Sequence, residues 1–239
     1  MPETANTLHG PRFPGESEEY RRARDELFQA EIDLRRQTER VAALRRALPL
    51  GGLVPTDYVF DEWDDAAGAP RQVRLSELFG DKDTLFLYSF MIVPAEQGLP
   101  FVGPCPSCTS IIDGIDGALP HITQRLAFAV AAKPPIGEFR RYGESRGWRH
   151  ARLLSAAPSR YSRDYGAETD EGYQWPLATV FVRREDGIRH FWSSELFFGP
   201  RDDPGQGTRH VDFMWPMWAV FDSTPEGRGD WGPALSYDG

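Results

Sequence analysis

The chain has 239 residues, 40% hydrophobic and 26% charged, which is enough apolar material to fill a real core. Its net charge of −9 argues against a nucleic-acid partner and against anionic membrane surfaces, because both select a basic face. No apolar stretch approaches the ~20 residues of a bilayer span and no segment reads as a secretory signal, so no membrane association and a cytoplasmic location are expected.

Residues 1–16 combine Pro2, Gly10, Pro11, Pro14 and Gly15 with polar neighbours, and a flexible arm is expected there. An amphipathic helix is expected over 17–50. Ser17 is its N-cap, Glu18 and Glu19 occupy its first turn, and Tyr20, Leu27, Leu34, Val41 and Leu48 recur at a heptad interval. Such a stripe packs either on its own domain or against a second copy in a homodimer, and the pattern leaves both open. Pro49, Gly51, Gly52 and Pro55 end the helix.

Strands and helices then alternate over 51–196. Strands are expected at Asp57–Glu62, at Val73–Phe79 leading into a turn, and at Thr84–Val93, whose near-unbroken apolar run reads as a central strand covered on both faces. A Pro- and Gly-rich loop, 94–104, leads to Cys105. Ser107–Leu119 carries Ile111, Ile112, Ile115 and Leu119 on one helical face, weakened by Gly114 and Gly117 at about 1 kcal/mol each. Pro120 is expected to kink or end that helix. Arg125–Lys133 reads as a second buried strand, Pro135–Gly147 as an amphipathic helix, Ala151–Ser155 as a third strand and Ser159–Tyr165 as a turn or helix. Leu177–Val182 and Ile188–Trp192 flank Arg184-Glu185-Asp186-Gly187 as a hairpin. The order predicts an α/β fold with a mixed sheet flanked by helices. Residues 197–239, rich in Trp, Gly and Pro, are expected to form an extension packed on this domain.

The chain has two cysteines, too few for a disulfide scaffold, and both lie in Cys105-Pro106-Ser107-Cys108. A pair so spaced at the start of a helix closes a small disulfide ring with little strain. The first sulfur then sits at the positive end of the helix dipole beside unpaired N–H groups, which favours its thiolate. Cys105 is the expected nucleophile and Cys108, one turn in, the resolving thiol. Pro106 falls just inside the helix, where its missing N–H costs nothing. Two other readings stay open. A binding module could carry the pair as a redox sensor, and a metal site could use it, although only His121 and His150 are at hand as further ligands and in no finger-like spacing. No resident cofactor or metal is expected.

A peroxidase loop, with Pro and Thr seven and three residues before its cysteine, is absent: Gly98 and Val102 precede Cys105, and Phe101 and Cys105 precede Cys108. His9, His190 and His210 have no evident triad partner and read as surface or core residues. Asp113 and Asp116 could face the sulfurs, but a solvated or capping role is the expectation. Trp192, Trp215, Trp218 and Trp231 read as core or interface.

Gly103-Pro-Cys-Pro-Ser-Cys-Thr-Ser-Ile-Ile-Asp-Gly-Ile-Asp-Gly117 resembles the signature of a bacterial thioredoxin-like family, domain of unknown function 899. Tyr58-Val-Phe60, Leu75–Phe79, Ser89-Phe-Met91, Phe128-Ala-Val130, Gly147-Trp148, the helix ending Arg45-Arg-Ala-Leu-Pro49 and the closing Phe221-Asp-Ser-Thr-Pro-Glu-Gly-Arg228 extend the likeness over about residues 17–230. The resemblance implies a thioredoxin-like fold and a dithiol–disulfide oxidoreductase whose partner is a disulfide-containing protein or a small-molecule thiol. Such folds place a cis-proline opposite the dithiol, before a strand that enters a hairpin. Trp175-Pro176 occupies that position, so a cis bond is expected there, with the Trp175 backbone free to pair with substrate. Pro106, Ser107, Trp175 and Pro176 are the expected substrate-binding residues. The sequence departs from thioredoxin in its longer loop before the cysteines and in Thr84–Val93, which has Tyr88 and Ser89 but no carboxylate.

Overall fold

The computed structural model describes residues 10–95, 102–199 and 209–237, in two units that divide after Pro49. The first holds one long helix, α1 (Glu18–Arg46). Ser17 caps it, its hydroxyl accepting the Tyr20 N–H at 3.1 Å, while Glu18 and Glu19 at one end and Arg45 and Arg46 at the other complement the dipole. Within the segment expected to be a loose arm, Glu16 and the Pro11 carbonyl both bind the Arg21 guanidinium, tying the chain back onto the first helical turn.

The second unit begins with a hairpin of β1 (Val59–Asp64) and β2 (Ala69–Arg74), followed by one turn of helix, α2 (Leu75–Leu78). The short strand and turn expected within Val73–Phe79 are therefore the end of β2 and this turn of helix. Leu75, Leu78 and Phe79 still turn inward and are buried. β3 (Thr84–Ser89) is the central strand, and it stops four residues before the apolar run does. Its partner on one side, the later strand beginning at Leu177, pairs with Ser89 and is preceded by Pro176, which has no N–H to continue the ladder. Ile92–Val93 (β4) instead pairs with Gly103–Pro104 (β5) in a separate two-stranded clip. This clip is the base of the loop expected over 94–104, of which residues 96–101 lie outside the described residues.

α3 (Pro106–Ile115) follows, then a 3-10 turn and the short α4 (Leu119–Ile122). Gly114 weakens α3 by about 1 kcal/mol, but burial of Ile111 and Ile112 contributes about 1.5–3 kcal/mol each, and packing wins. Pro120 does not end the helix. α3 has already stopped, and Pro120 sits in the first turn of α4, where proline is tolerated. The remaining elements are β6 (Ala127–Ala132), α5 (Ile136–Arg146), β7 (Leu153–Ser155), α6 (Tyr161–Asp164), the hairpin β8 (Leu177–Arg184) and β9 (Gly187–Ser193), and the late helix α7 (Pro216–Phe221). Among the described residues no helix is long and apolar enough to cross a membrane.

Seven strands form one mixed sheet in the order β2-β1-β7-β6-β3-β8-β9. β3, β6 and β7 run parallel, while β8 lies antiparallel to β3 and carries β9 at the edge. A parallel crossover that contains the cysteine helix, next to an antiparallel hairpin, is the thioredoxin-like arrangement. The period of two along the strands divides the core. Leu85 and Leu87 of β3, with Ala129 and Ala131 of β6, enter a core with Phe60, Leu75, Leu154, Tyr161 and Phe181. Tyr88 of β3, with Phe128 and Val130 of β6, enters the opposite core with Cys108, Ile111, Ile112 and Phe139.

Asp116 joins the cysteine helix region to the approach to β7. Its largely buried carboxylate accepts the N–H groups of Arg149, His150 and Ala151 at 3.0, 3.0 and 2.9 Å. Asp113 accepts from Trp148 Nε1 at 2.7 Å and pairs with Arg146. Neither carboxylate is directed at the sulfurs. Both pin the far end of α3 to the segment after α5.

Replacing Asp116 with Ala leaves three donors without their acceptor. It should lower stability by roughly 3 kcal/mol, given about 1.5–3 kcal/mol per hydrogen bond to a charged group and incomplete additivity. Urea denaturation of Asp116→Ala against the parent checks this, with Asp116→Asn expected to lose less.

Candidate functional site

The ladder that stops at Ser89 frees the next residues to shape the site. The β4–β5 clip brings the chain back, and the Cys105 N–H donates to the Met91 carbonyl at 3.0 Å. Gly103 makes this turn at φ +88°, a conformation that glycine adopts without strain. On the other side, the buried Gln174 side chain grips β4: its Oε1 accepts the Ile92 N–H at 3.2 Å and its Nε2 donates to the Ile92 carbonyl at 2.7 Å. One glutamine amide thus satisfies a strand's free edge and holds the Trp175-Pro176 approach beside the cysteines.

Cys105 is the N-cap of α3 in extended geometry, with Pro106 at the first helical position. Its carbonyl accepts the Thr109 N–H at 2.9 Å and the Thr109 hydroxyl at 2.8 Å. With that hydroxyl proton committed, Tyr142 donates its own to Thr109 across 2.7 Å. Cys108 faces the sheet one turn later, fully buried, and the Tyr88 hydroxyl donates to its Sγ at 3.3 Å. Both cysteines are free thiols.

The environments of the two sulfurs differ in sign. The Cys105 pKa is lowered to about 7, chiefly by the Cys108 thiol that hydrogen-bonds it and further by the Cys108 and Ser107 N–H groups of the open helix end, against the opposing cost of burial. Burial pushes the Cys108 thiol well above its ordinary value, and the adjacent Cys105 charge adds to this; the Tyr88 hydroxyl works the other way. Near neutral pH the arrangement supports one thiolate, at Cys105, and one thiol, at Cys108.

A cavity of about 220 Å³ opens beside the pair, lined by both cysteines, Ser107, Trp175, Pro176 and aromatic residues from the C-terminal segment, Phe197 and Trp215. Of the residues expected to bind substrate, Ser107, Trp175 and Pro176 line it and Pro106 does not. The Trp175–Pro176 peptide is trans, since no cis bond occurs among the described residues. The Trp175 N–H is already committed to the Ala167 carbonyl at 2.8 Å and so is not available to a substrate chain. That turn brings the chain into β8 in extended form without a cis bond. His210 approaches from the other side, its Nε2–H donating to the Pro176 carbonyl at 3.2 Å, and burial lowers its pKa.

Gln174, Phe197, His210 and Trp215 carry no sequence signal at this site. They reach it from chain positions remote from the cysteines. Trp215 is fastened there by its Nε1–H on Ser110 Oγ at 3.1 Å. The segment behind it is clasped by Arg228, which binds Asp222 at 2.7 Å and Asp212 at 2.9 Å.

A larger cavity, about 430 Å³, lies at Tyr58, Asp164, Tyr165, His190 and Ser193 and touches neither cysteine. His190 Nε2 and Ser193 Oγ are 2.9 Å apart, but the serine proton goes to Thr179 Oγ1 at 3.3 Å. That leaves the histidine as donor and the serine without a base. Among the described residues no group of three or more His, Cys, Asp or Glu side chains is placed to hold a metal ion.

Alkylation of the reduced protein by iodoacetamide should rise through an inflection near pH 7 and then level off, because the thiolate is the nucleophile and the Cys105 pKa is lowered to about 7. Peptide mapping should find the label on Cys105, with Cys108 unlabelled in the folded state.

No curated protein matches the sequence. Among solved structures, the reduced 2-Cys peroxiredoxin of Plasmodium vivax overlaps 59% of this chain and 81% of its own at 18% identity, with a TM-score of 0.42. Peroxidoxin BcpB of Mycobacterium tuberculosis overlaps 72% and 97% at 17% identity, with a TM-score of 0.41. The mitochondrial 2-Cys peroxiredoxin of Plasmodium falciparum overlaps 73% and 95% at 12% identity, with a TM-score of 0.43. These overlaps are loose, and the fold assignment rests on the strand order and connections described above. The model of a bacterial protein family of unknown function, DUF899, matches residues 11–237, and the chain belongs to that family.

Proposed function

We propose that the protein is a dithiol–disulfide oxidoreductase. The observation that carries this reading is the unequal pair itself: a helix-capping Cys105 at the wall of a cavity, with Cys108 buried directly behind it. The Cys105 thiolate attacks one sulfur of a substrate disulfide, forming a mixed disulfide and releasing the first substrate thiolate. Cys108 then loses its proton and attacks Cys105 Sγ. The Cys105–Cys108 disulfide forms, the second substrate thiolate leaves, and two electrons have passed from protein to substrate. An external dithiol restores the reduced pair.

The order of events follows from burial. Cys108 is closed to solvent and cannot meet a substrate first, whereas it is one helical turn from Cys105. Tyr88 takes the place that a buried carboxylate holds in thioredoxin. Its hydroxyl lowers the cost of forming the Cys108 thiolate in an otherwise apolar core, so it is a positioning residue for the second step.

Equilibration in dithiothreitol redox buffers should give a reversible two-electron couple that is lost in Cys105→Ser and in Cys108→Ser. Failure of the wild-type pair to form an internal disulfide under any buffer would overturn the proposal. Cys108→Ser should instead trap a mixed disulfide on Cys105.

Tyr88→Phe should slow resolution by roughly 10- to 100-fold, since a hydrogen bond to a charged group is worth about 1.5–3 kcal/mol and each 1.36 kcal/mol is tenfold in rate. Single-turnover quenching should show the mixed disulfide accumulating. The Cys105 alkylation profile should keep its inflection near pH 7, which separates this role from a general loss of structure.

A further inference from the structure

We infer that the site acts on a small, uncharged disulfide bearing aromatic or branched apolar groups, and not on a protein disulfide or on a charged one such as oxidised glutathione. This rests on the dithiol reading above and adds the substrate class.

Access comes first. Cys105 is 6% exposed and Cys108 is closed, so the attacking sulfur is reached through the cavity. Attack on a disulfide needs the incoming sulfur in line with the S–S bond at near-contact distance. A free small disulfide can place a substituent in this space of about 220 Å³ beside the sulfurs, whereas a disulfide held between two polypeptide backbones must also bring its chain to the same opening. The space takes one ring-sized substituent, and it is smaller than the ~300–1,000 Å³ of a typical drug-sized site.

The chemistry of the walls selects next. Trp175, Phe197, Trp215, Ile111, Val211 and Met91 supply apolar surface, and no Asp, Glu, Lys or Arg lines the cavity among the described residues. Its one titratable cationic candidate, His210, is disfavoured as a cation by burial, and its Nε2–H is engaged by Pro176. Two arginines of the C-terminal segment are engaged with carboxylates: Arg209 binds Asp212 at 2.6 Å and Arg228 binds Asp222 and Asp212. A carboxylate entering this space would lose its hydration with no Lys or Arg partner among the described residues of the walls. An uncharged aromatic disulfide loses little by the same step and gains contact with the indole and phenyl faces.

The step balances as written for the general reaction. The Cys105 thiolate displaces one small thiolate, the Cys108 thiolate displaces the second, and the dithiol supplies both electrons.

The test is the second-order rate of the reduced protein at neutral pH with 4,4′-dithiodipyridine, with its dianionic counterpart 5,5′-dithiobis(2-nitrobenzoate), with oxidised glutathione and with insulin. Each rate is divided by that of an unstructured cysteine peptide of matched pKa. The uncharged reagent should be preferred at least 100-fold over the dianion, and insulin should react no faster than background. Phe197→Lys, which sets a cation in the cavity wall, should reduce that preference at least tenfold. Equal normalised rates, or a preference for insulin or glutathione, would overturn the substrate class while leaving the dithiol reading intact. Absence of a Cys105–Cys108 disulfide with every oxidant would overturn both.

Discussion

β3 runs through the middle of the sheet with four of its six residues buried, and alternate side chains must go to opposite sides of the sheet. Leu85 and Leu87 fill one core, and Phe86 and Tyr88 turn to the other. This alternation places the Tyr88 hydroxyl on the side where α3 packs, and there it meets the Cys108 sulfur. A shift of one residue in register would exchange the two faces and set a leucine against the thiol. The end of the strand is equally consequential. The β3–β8 ladder stops where Pro176 can no longer donate, and the chain beyond Ser89 is released to make the clip that delivers Cys105.

The two thiols are spaced so that one local feature acts on them oppositely. Cys105 caps the helix and faces its free N–H groups, and Cys108 is turned inward to the sheet. The proton they share through their hydrogen bond therefore rests on the buried sulfur. The same asymmetry that activates the outer thiol makes the inner one reluctant to ionise. Tyr88 is the group that eases it.

The C-terminal segment supplies one wall of the site. Trp215 is fixed to α3 through Ser110, His210 reaches the Pro176 carbonyl, and the Arg228 clasp with Asp212 and Asp222 holds the intervening chain in place. Asp113 and Asp116 perform the matching task at the far end of α3, where they secure the segment that leads into β7. Asp113, Asp116, Trp148 and Trp215 are thus scaffolding for a short helix that carries both cysteines.

Much of this was legible along the chain. The buried strand, the Cys-x-x-Cys pair at a helix start, Pro106 within the first turn and the final hairpin each follow from local pattern, because caps, periodicity and turn residues act within a few positions of one another. The sequence also points to the pair as chemistry, since it spends its cysteines nowhere else. What it does not contain is the far side of the site. Gln174 gripping β4, His210 on Pro176, Phe197 and Trp215 as walls, and the trans geometry at Trp175–Pro176 all depend on contacts between segments distant in the chain. Local composition thus determined that an unequal pair of thiol environments would form at Cys105 and Cys108. Tertiary packing alone decided which side chains line the space before them, because a cavity is defined by the side chains that converge on it and not by any one stretch of sequence.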